Sequence, residues 1–388
     1  MVTPDPTVGT LGHLTQDEER KLQQAWVHLL RLCGVEGLEK VGAPTPVPDL
    51  SKQLSRELSD VSQQDFRGHL WGFILAEHPD ALVLRFLRAR KWDVESAMMM
   101  LVSAITWRAD RRMLDTVIRV GEAVALKEGK EQTADDKAFI TQYQSGKSYV
   151  RGKDKENRII YNIHVRLHDP RAQTPYCMEE YVLHNIESLR VLIKPPNDKC
   201  CLIFDMTGFG LKNMDFHVVR FLVSVFEARY PETLGLVLIH NAPFVFWGIW
   251  NIIKGWLDPV IASKINFTRK TKDMLQFISE ENLGKGYGGK DTWDYEYVKP
   301  VPGENARLQE DEKRAEINHE HNELISQFET ETVAWASLDA ESSEAKDKAT
   351  ERTKLADQLT DSYWKLDPYI RSTTLLRRLG MVDEIAND

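Results

Sequence analysis

The sequence has little cysteine and no long hydrophobic run. Its 388 residues include four cysteines. Their spacing fits neither a zinc site nor a redox pair. No run of 18 apolar residues occurs, so we expect no membrane-spanning helix. The first residues also lack the basic start and the apolar stretch of a secretory signal. We therefore expect a cytosolic chain whose thiols are reduced.

A basic domain is also missing. The net charge is −9, and the chain from Glu304 onward carries 20 acidic and 11 basic residues. The first 303 residues carry 39 of each sign, so the negative charge belongs to the C-terminal part. Proteins that bind nucleic acid usually have a basic domain. We therefore expect no nucleic-acid partner.

Motifs for catalysis and for metals are equally scarce. Gly146-Lys147-Ser148 lacks the earlier glycine of a phosphate-binding loop, because Thr141 stands there. His164 and His168 lie on a predicted strand or at its exit, with no acidic motif beside them, which does not favour a metal site. Asp205 ends a buried strand without a partner carboxylate, and no Gly-x-Ser-x-Gly elbow occurs. We predict a binding protein with no catalytic residue, metal or cofactor.

The middle of the chain alternates short apolar runs with helical segments. The predicted strands are Ser148–Gly152, Ile159–Val165, Cys201–Asp205, Leu234–Asn241 and Ile265–Phe267. The predicted helices are Met178–Ile193, Asp215–Arg229 and the run 242–257. Buried strands that alternate with helices are typical of an α/β layer with a largely parallel sheet.

Helices are predicted on both sides of this layer. Thr15–Glu18 forms a capping box before an amphipathic helix, and residues 41–50 hold three prolines, which indicates a linker. The pattern is helical from about Gln64 to Met113. In the C-terminal part an apolar stripe repeats at helical spacing, and a second helix is expected from about Glu344 to Trp364. The stripe consists of Ile317, Leu324, Phe328, Trp335 and Leu338.

The most unusual segment is 242–264, which reads APFVFWGIWNIIKGWLDPVIASK. From Phe244 to Leu257 it is almost wholly apolar, yet it is shorter than the roughly 20 residues that span a bilayer. A helix that is apolar all round is buried on several sides or contacts lipid. Both interpretations stay open on this segment alone.

Four segments together carry a family resemblance. They are LRFLRARKWD (84–93), RYPETLG (229–235), NAPFVFWGIW…WLDPVIASKI (241–265) and ENLGKGYGG (281–289). The combination resembles the CRAL-TRIO lipid-binding family, in its fungal Sec-fourteen-like branch of phosphatidylinositol transfer proteins, over about residues 64–292. The first helix and LDPYIRS (366–372) are similar to one divergent fungal subgroup.

The resemblance implies a fold and a division into domains. It implies an N-terminal helical lobe and an α/β lobe whose mostly parallel sheet floors an apolar lipid cavity, followed by a helical C-terminal extension. The implied domains are 1–63 (first helix and proline-rich linker), 64–130 (helical lobe), 131–302 (lipid-binding domain) and 303–388 (acidic helical extension). The apolar run would be a gate helix over the cavity, with Phe244, Phe246, Trp247, Trp250, Ile253 and Leu257 as its contacts.

The resemblance also implies a headgroup site. By motif, Arg90 and Lys91 match the family's cations, Glu232 its carboxylate and Lys264 the lysine that closes the gate segment. A buried phosphodiester requires cations, and a carboxylate can accept hydrogen bonds from inositol hydroxyls. These four residues are the predicted phosphatidylinositol site.

The family's second-lipid site is only partly retained. Where the family has hydroxyls on one strand, this chain has Cys200 and Leu202. Of two tyrosines near the choline, Tyr161 is present and Val150 replaces the other, although a quaternary ammonium prefers an aromatic wall. We expect a more apolar second ligand, such as an isoprenoid, a sterol or squalene.

The function implied is that of a monomeric, cytoplasmic lipid transfer protein. It would dock transiently on membranes or lipid droplets and exchange phosphatidylinositol for a second hydrophobic lipid. The alternative is a carrier or sensor of an apolar lipid that acts as a ligand-regulated adaptor. Its C-terminal helices would then contact a protein partner, unless their apolar stripe packs on the rest of the chain.

Overall fold

The computed structural model describes residues 8–38, 54, 56–193 and 198–386. The predicted proline-rich linker at 41–50 lies outside these residues. By contacts the chain divides into two compact units. The first contains the described residues up to Arg119 together with Asn305–Arg371, and the second contains Val120–Ile193, residues 198–304 and the chain from Ser372 onward. The four domains implied by the resemblance stay a prediction.

The elements are numbered here in chain order. The helices are α1 (Gln16–Leu32), α2 (Gln63–Ile74), α3 (Pro79–Ala89), α4 (Val94–Asp110), α5 (Ala134–Gln144), α6 (Pro175–Arg190), α7 (Phe216–Ala228), α8 (Phe246–Lys254), α9 (Pro259–Ser263), α10 (Thr271–Met274), α11 (Asp311–Ala336), α12 (Ser343–Ile370), α13 (Leu375–Arg378) and α14 (Met381–Ala386). The strands are β1 (Ser148–Lys153), β2 (Ile159–His164), β3 (Cys200–Asp205), β4 (Leu234–His240) and β5 (Ile265–Thr268).

The first unit is helical, and α1 begins as its sequence predicts. The Thr15 hydroxyl accepts a hydrogen bond from the Glu18 N–H, and the Glu18 carboxylate accepts one from the Thr15 N–H at 2.8 Å. This reciprocal pair satisfies two backbone donors that a helix start leaves without partners. The apolar face of α1 is buried, with Trp26 at its centre.

The long C-terminal helices α11 and α12 belong to the same unit as α1. The rings of Trp26 and Phe328 lie 5.6 Å apart in an edge-to-face contact. Gln23 Nε2 donates to the Trp335 carbonyl oxygen at 3.1 Å. The stripe residues Ile317, Phe328 and Trp335 are buried. The apolar stripe therefore packs within this unit.

Helix α12 is longer than predicted, since it runs six residues beyond Trp364 to Ile370. Pro368 lies in its last turn, where the missing N–H removes only one hydrogen bond near the helix end. Buried Asp367 accepts hydrogen bonds from the Tyr363 hydroxyl and from Arg371 Nε, both at 2.8 Å. These contacts tie the last turn together.

The second unit is built on a five-stranded sheet of order β1-β2-β3-β4-β5. Strands β1 and β2 are antiparallel, and the other neighbours are parallel. The predicted mostly parallel α/β sheet is confirmed, and all five strands lie within one residue of their predicted bounds. The prediction succeeds because short apolar runs bounded by turn residues are a strong strand signal.

The two faces of the sheet have different neighbours, because alternate side chains point to opposite faces. One face carries Ile160, Cys201, Ile203, Leu236 and Leu238, which pack against Met274, Ile278 and Leu283. The other face lines a cavity. Strand β4 has a bulge at Gly235, since Cys200 pairs with Leu234 and the next residue, Cys201, pairs with Leu236. A Cβ there would lie 2.5 Å from Arg158 Cδ, so any other residue would force the Arg158 side chain to move.

Two helices of this unit differ from their predicted bounds. Helix α6 begins at Pro175, because Thr174 caps the Cys177 N–H and proline suits the first helical position. The prediction of one helix over 242–257 was wrong in length, since α8 covers only Phe246–Lys254. Pro243 precedes it and Gly255 caps its end. No helix in the described residues is long and apolar enough to cross a membrane.

Candidate functional site

The second unit encloses a cavity of about 270 Å³. Its floor is the second face of the sheet, and its other walls come from α6, α7 and α8. The floor includes Tyr161, Cys200, Leu202, Val237, Ile239 and Ile265. The facing helices contribute Val182, Ile186, Val219, Leu222 and Phe226. The walls are almost entirely apolar, as in sites for hydrophobic ligands.

Helix α8 presents apolar side chains on two sides. Four of the predicted gate residues line the cavity, namely Phe246, Trp250, Ile253 and Leu257. The other two face outward, since Phe244 is 93% exposed and Trp247 is 42% exposed, and Ile252 beside them is 51% exposed. The Trp247 ring lies 4.8 Å from the ring of Phe267. The segment therefore combines a cavity wall with an exposed apolar surface.

The predicted second-lipid residues occupy the floor and its border. Tyr161, Cys200 and Leu202 line the cavity. Val150 is buried and pairs with Tyr161 across β1 and β2, but it lines a smaller neighbouring pocket. Burial raises the pKa of the Cys200 thiol to about 12, so the thiol stays neutral. This part of the floor offers little polarity to a ligand.

Two hydroxyls on the wall were missed by sequence reasoning. Ser148 Oγ lies 2.6 Å from the Tyr161 hydroxyl and 2.6 Å from the Tyr181 hydroxyl, and all three residues line the cavity. Burial raises the pKa of Tyr161 well above its usual range, so its phenol remains neutral. The position of Ser148 could have been inferred from the sequence. It stands two residues before Val150, so both side chains point to the same face of the strand. The chain thus retains a hydroxyl group in this region.

The predicted residues Glu232 and Lys264 form an ion pair. Lys264 Nζ lies 3.6 Å from Glu232 Oε2, and each side chain is 17% exposed. Glu232 shortly precedes β4 and Lys264 directly precedes β5, so both stand at the amino ends of adjacent parallel strands. Their chain neighbours Thr233 and Ile265 line the cavity. The pair therefore lies beside the amino edge of the cavity floor.

Glu232 has an unusual backbone conformation. Its φ is 59°, in the left-handed region that non-glycine residues rarely adopt. Such a conformation costs about 1–3 kcal/mol and persists where the surroundings fix it. Two residues earlier Tyr230 is buried, and its hydroxyl donates to Glu187 Oε1 at 2.5 Å. This anchor helps to hold the strained turn that presents Glu232.

The predicted cations Arg90 and Lys91 lie in the first unit, at the end of α3. The Arg90 N–H closes that helix by donating to the Phe86 carbonyl oxygen at 3.1 Å. Lys91 has a φ of 51° and Trp92 one of 65°. Arg90 and Lys91 are exposed. The structure thus brings Glu232 and Lys264 together within the second unit, and the four-residue site stays a prediction.

The two histidines considered as metal ligands each pair with their own carboxylate. His164 Nδ1 lies 3.0 Å from Asp205 Oδ2, and His168 Nε2 lies 3.1 Å from Asp215 Oδ2. Burial raises the pKa of Asp205, but hydrogen bonds with His164 and Thr207 outweigh it and hold that pKa below its usual value. In the part of the chain that the structure describes, no group of three or more such ligands could hold a metal ion.

Comparison with known proteins supports the assignment made from motifs. Residues 143–289 match the CRAL/TRIO domain, and residues 51–103 match the CRAL/TRIO N-terminal domain. The chain is 34% identical to a CRAL-TRIO domain-containing protein of Schizosaccharomyces pombe, over 96% of this chain and 92% of that relative. The chain therefore belongs to the CRAL/TRIO family, and the predicted family is confirmed.

The chain is similar to other known proteins as well. The chain is 32% identical to the phosphatidylinositol transfer protein CSR1 of Eremothecium gossypii, over 96% of this chain and 97% of that protein. It is 26% identical to the Sec14 cytosolic factor of Schizosaccharomyces pombe, over 54% of this chain and 74% of that protein. Among solved structures, that of Sfh5 aligns with a TM-score of 0.44 and 16% identity, over 66% of this chain and 93% of the other.

Proposed function

We propose that this protein binds phosphatidylinositol and moves it between membranes, exchanging it for a second hydrophobic lipid held in the same cavity. The observation that carries the proposal is the apolar cavity with the Glu232–Lys264 pair beside one edge of its floor. A phospholipid likewise combines apolar acyl chains with a polar headgroup. The exchange requires no covalent step.

The ion pair suits the headgroup chemically. The Lys264 ammonium can donate to a phosphate oxygen, and the Glu232 carboxylate can accept from inositol hydroxyls. Both side chains are partly exposed, so a headgroup can reach them. The near full-length relative CSR1 carries the name phosphatidylinositol transfer protein. The family resemblance also implies a role for Arg90 and Lys91, which stays a prediction.

The exposed side of α8, together with Phe244 just before the helix, suits a membrane surface. Phe244, Trp247 and Ile252 offer apolar area to a bilayer interface, where aromatic side chains are favoured. The opposite side of the helix lines the cavity through Phe246 and Ile253. Movement of this helix on a membrane would open the cavity toward lipid. The protein would then act in the cytoplasm and bind membranes or lipid droplets peripherally.

The test is extraction and mass spectrometry of the lipids that co-purify with the wild type, Lys264→Ala and the control Lys285→Ala. Lys285 is an exposed lysine of the same unit. A hydrogen bond to a charged group contributes about 1.5–3 kcal/mol, so we expect Lys264→Ala to lose phosphatidylinositol roughly 10- to 100-fold. The control should retain it. Equal loss of every lipid from Lys264→Ala would contradict the headgroup assignment.

A second candidate function is a carrier or sensor of an apolar lipid. It is favoured by Cys200 and Leu202, which make the floor apolar where the family resemblance implied hydroxyls. The same extraction distinguishes it, because a neutral lipid without any phospholipid in all three proteins would support it. An adaptor role through the C-terminal helices would have to use their polar faces, since Phe328 and Trp335 are buried.

A further inference from the structure

A buried lysine lies at the opposite edge of the cavity floor. Lys147 precedes β1, whose first residue, Ser148, pairs with Ile163 near the end of β2. It therefore stands at the carboxyl edge of the parallel strands, whereas Glu232 and Lys264 stand at the amino edge. Lys147 is 4% exposed and lines the cavity. A charge in such a place is costly unless it is paired and hydrogen-bonded.

The direct partners of the Lys147 ammonium are neutral. One N–H donates to Gln142 Oε1. That amide is fixed, since its Nε2 donates to the Ala138 carbonyl oxygen at 2.7 Å. Another N–H points to His168 Nδ1 at 3.1 Å. The remaining contacts are Met178 Sδ at 3.4 Å, which is a weak acceptor, and the ring of Tyr181, whose centroid lies 5.2 Å from the ammonium and which accepts no conventional hydrogen bond. The ammonium thus has three donors and only two good acceptors among the described residues.

The carboxylate of this cluster, Asp215, is engaged elsewhere. Its Oδ2 lies 3.1 Å from His168 Nε2, and its Oδ1 accepts from the Val218 N–H at 3.1 Å. It therefore caps the start of α7, where the helix dipole also favours its negative charge. Burial and the charge of Lys147 lower the pKa of His168, so the imidazole is neutral and leaves Nδ1 as an acceptor. None of the direct contacts of Lys147 therefore carries a negative charge.

We propose that Lys147, with Gln142 and His168 as its supports, binds the carboxylate of a long-chain fatty acid whose hydrocarbon chain occupies the cavity. A carboxylate oxygen replaces the thioether as the third acceptor and supplies the missing negative charge. Most of the remaining cavity wall is apolar, which suits the chain. This inference rests on the proposed exchange of lipids and names the chemical class of the second one.

The position of Lys147 separates this site from the proposed headgroup site. The seven residues of β4 run from one edge of the floor to the other, which at about 3.3 Å per residue is roughly 20 Å. With polar groups at both edges of the floor, we expect two amphipathic ligands, each with its polar end at a different edge. A pure hydrocarbon would use neither polar group. The apolar middle of the floor, with Leu202, is common to both.

The test uses full-length, delipidated protein and three ligands of equal chain length. They are oleic acid, methyl oleate and 1-octadecene, with binding measured at neutral pH. We expect the acid to bind at least tenfold more tightly than the ester or the hydrocarbon. The preference should disappear in Lys147→Met and persist in Lys153→Met, which changes an exposed lysine on β1. Even if Lys147→Met does not fold, equal binding of the acid and the hydrocarbon by the wild type would overturn the inference.

The outcomes separate this inference from the proposed function. Equal binding of acid and hydrocarbon overturns it, and so does equal binding of acid and methyl ester, because the ester lacks the charge. A preference for the acid that survives in Lys147→Met also overturns it. Binding of phosphatidylinositol is measured on the same wild-type preparation. If phosphatidylinositol does not bind but the acid is clearly preferred, only the proposed transfer of phosphatidylinositol is contradicted.

Discussion

Lys264 and Glu232 form an ion pair at 3.6 Å, and Glu232 has a left-handed backbone conformation with a φ of 59°. Partly exposed ion pairs contribute about 0–1 kcal/mol to folding. The backbone conformation costs about 1–3 kcal/mol. The ion pair therefore contributes little to folding stability, and we expect it to act in binding.

The first prediction separates these two roles. Glu232→Gln should change the free energy of unfolding by less than about 1 kcal/mol, because the ion pair contributes little. Transfer of phosphatidylinositol between vesicles should fall roughly tenfold, since the amide accepts inositol hydroxyls less strongly than the carboxylate. Glu280→Gln removes a more exposed ion pair with Lys290 and is the control. Unchanged transfer by Glu232→Gln would argue against a headgroup contact.

The second prediction concerns the exposed apolar surface formed by Phe244 and the neighbouring side of α8. Burying a phenylalanine side chain contributes about 1.5–3 kcal/mol. Phe244→Ala should therefore weaken binding to phospholipid vesicles by roughly 10- to 100-fold in a co-sedimentation assay. The free energy of unfolding should hardly change, because Phe244 is 93% exposed. Val301→Ala removes another exposed apolar side chain of the same unit and should bind vesicles normally. If both variants bind alike, the exposed apolar surface around Phe244 is not the docking surface.

The third prediction uses two neighbours on β3 that point to opposite faces. Leu202 lines the cavity, whereas Ile203 packs in the core with Met274 and Ile278. Leu202→Phe should fill cavity space and reduce co-purifying lipid, with little effect on unfolding. Ile203→Phe should instead lower the free energy of unfolding by about 1–3 kcal/mol through overpacking. Urea unfolding and lipid extraction of both variants check the contrast, and the reverse pattern would contradict the assigned faces.

The strands and the family were predictable because their signals are local. Each strand is a short apolar run, and the motifs at 84–93 and 241–265 are contiguous. The helix bounds were less predictable, since α6 begins at a threonine cap followed by proline and α8 is limited by Pro243 and Gly255. These turn and cap residues set the ends of the two helices. The apolar pattern alone predicted a later start for α6 and a longer α8.

Contacts between distant residues could not be predicted. Asp80 accepts two hydrogen bonds from Arg352, 272 residues later, and both side chains are buried. Charge runs in the C-terminal part gave no sign that one arginine would be buried. Lys147 was considered only as part of a rejected phosphate-binding loop. Its role depends on Gln142 and His168, which the fold brings together and the sequence pattern does not.

The last prediction follows from the buried charge of Lys147. Burial lowers the pKa of this lysine to about 8 in the folded protein, against 10.5 as its ordinary value. Between these two values the unfolded chain binds a proton that the folded protein does not, so folding stability rises with pH across this window. Below pH 8 the lysine destabilises the fold by a constant amount of about 3 kcal/mol.

Lys147→Met removes this dependence. The variant should gain most stability over the wild type below pH 8. This difference in the free energy of unfolding should fall by about 3 kcal/mol as the pH rises to 10.5. Urea unfolding of delipidated protein at several pH values measures the difference, with Lys153→Met as the flat control. A difference that does not change with pH would mean that the ammonium is not destabilised by burial. Oleate bound to the wild type should flatten the curve, because the carboxylate stabilises the charged lysine.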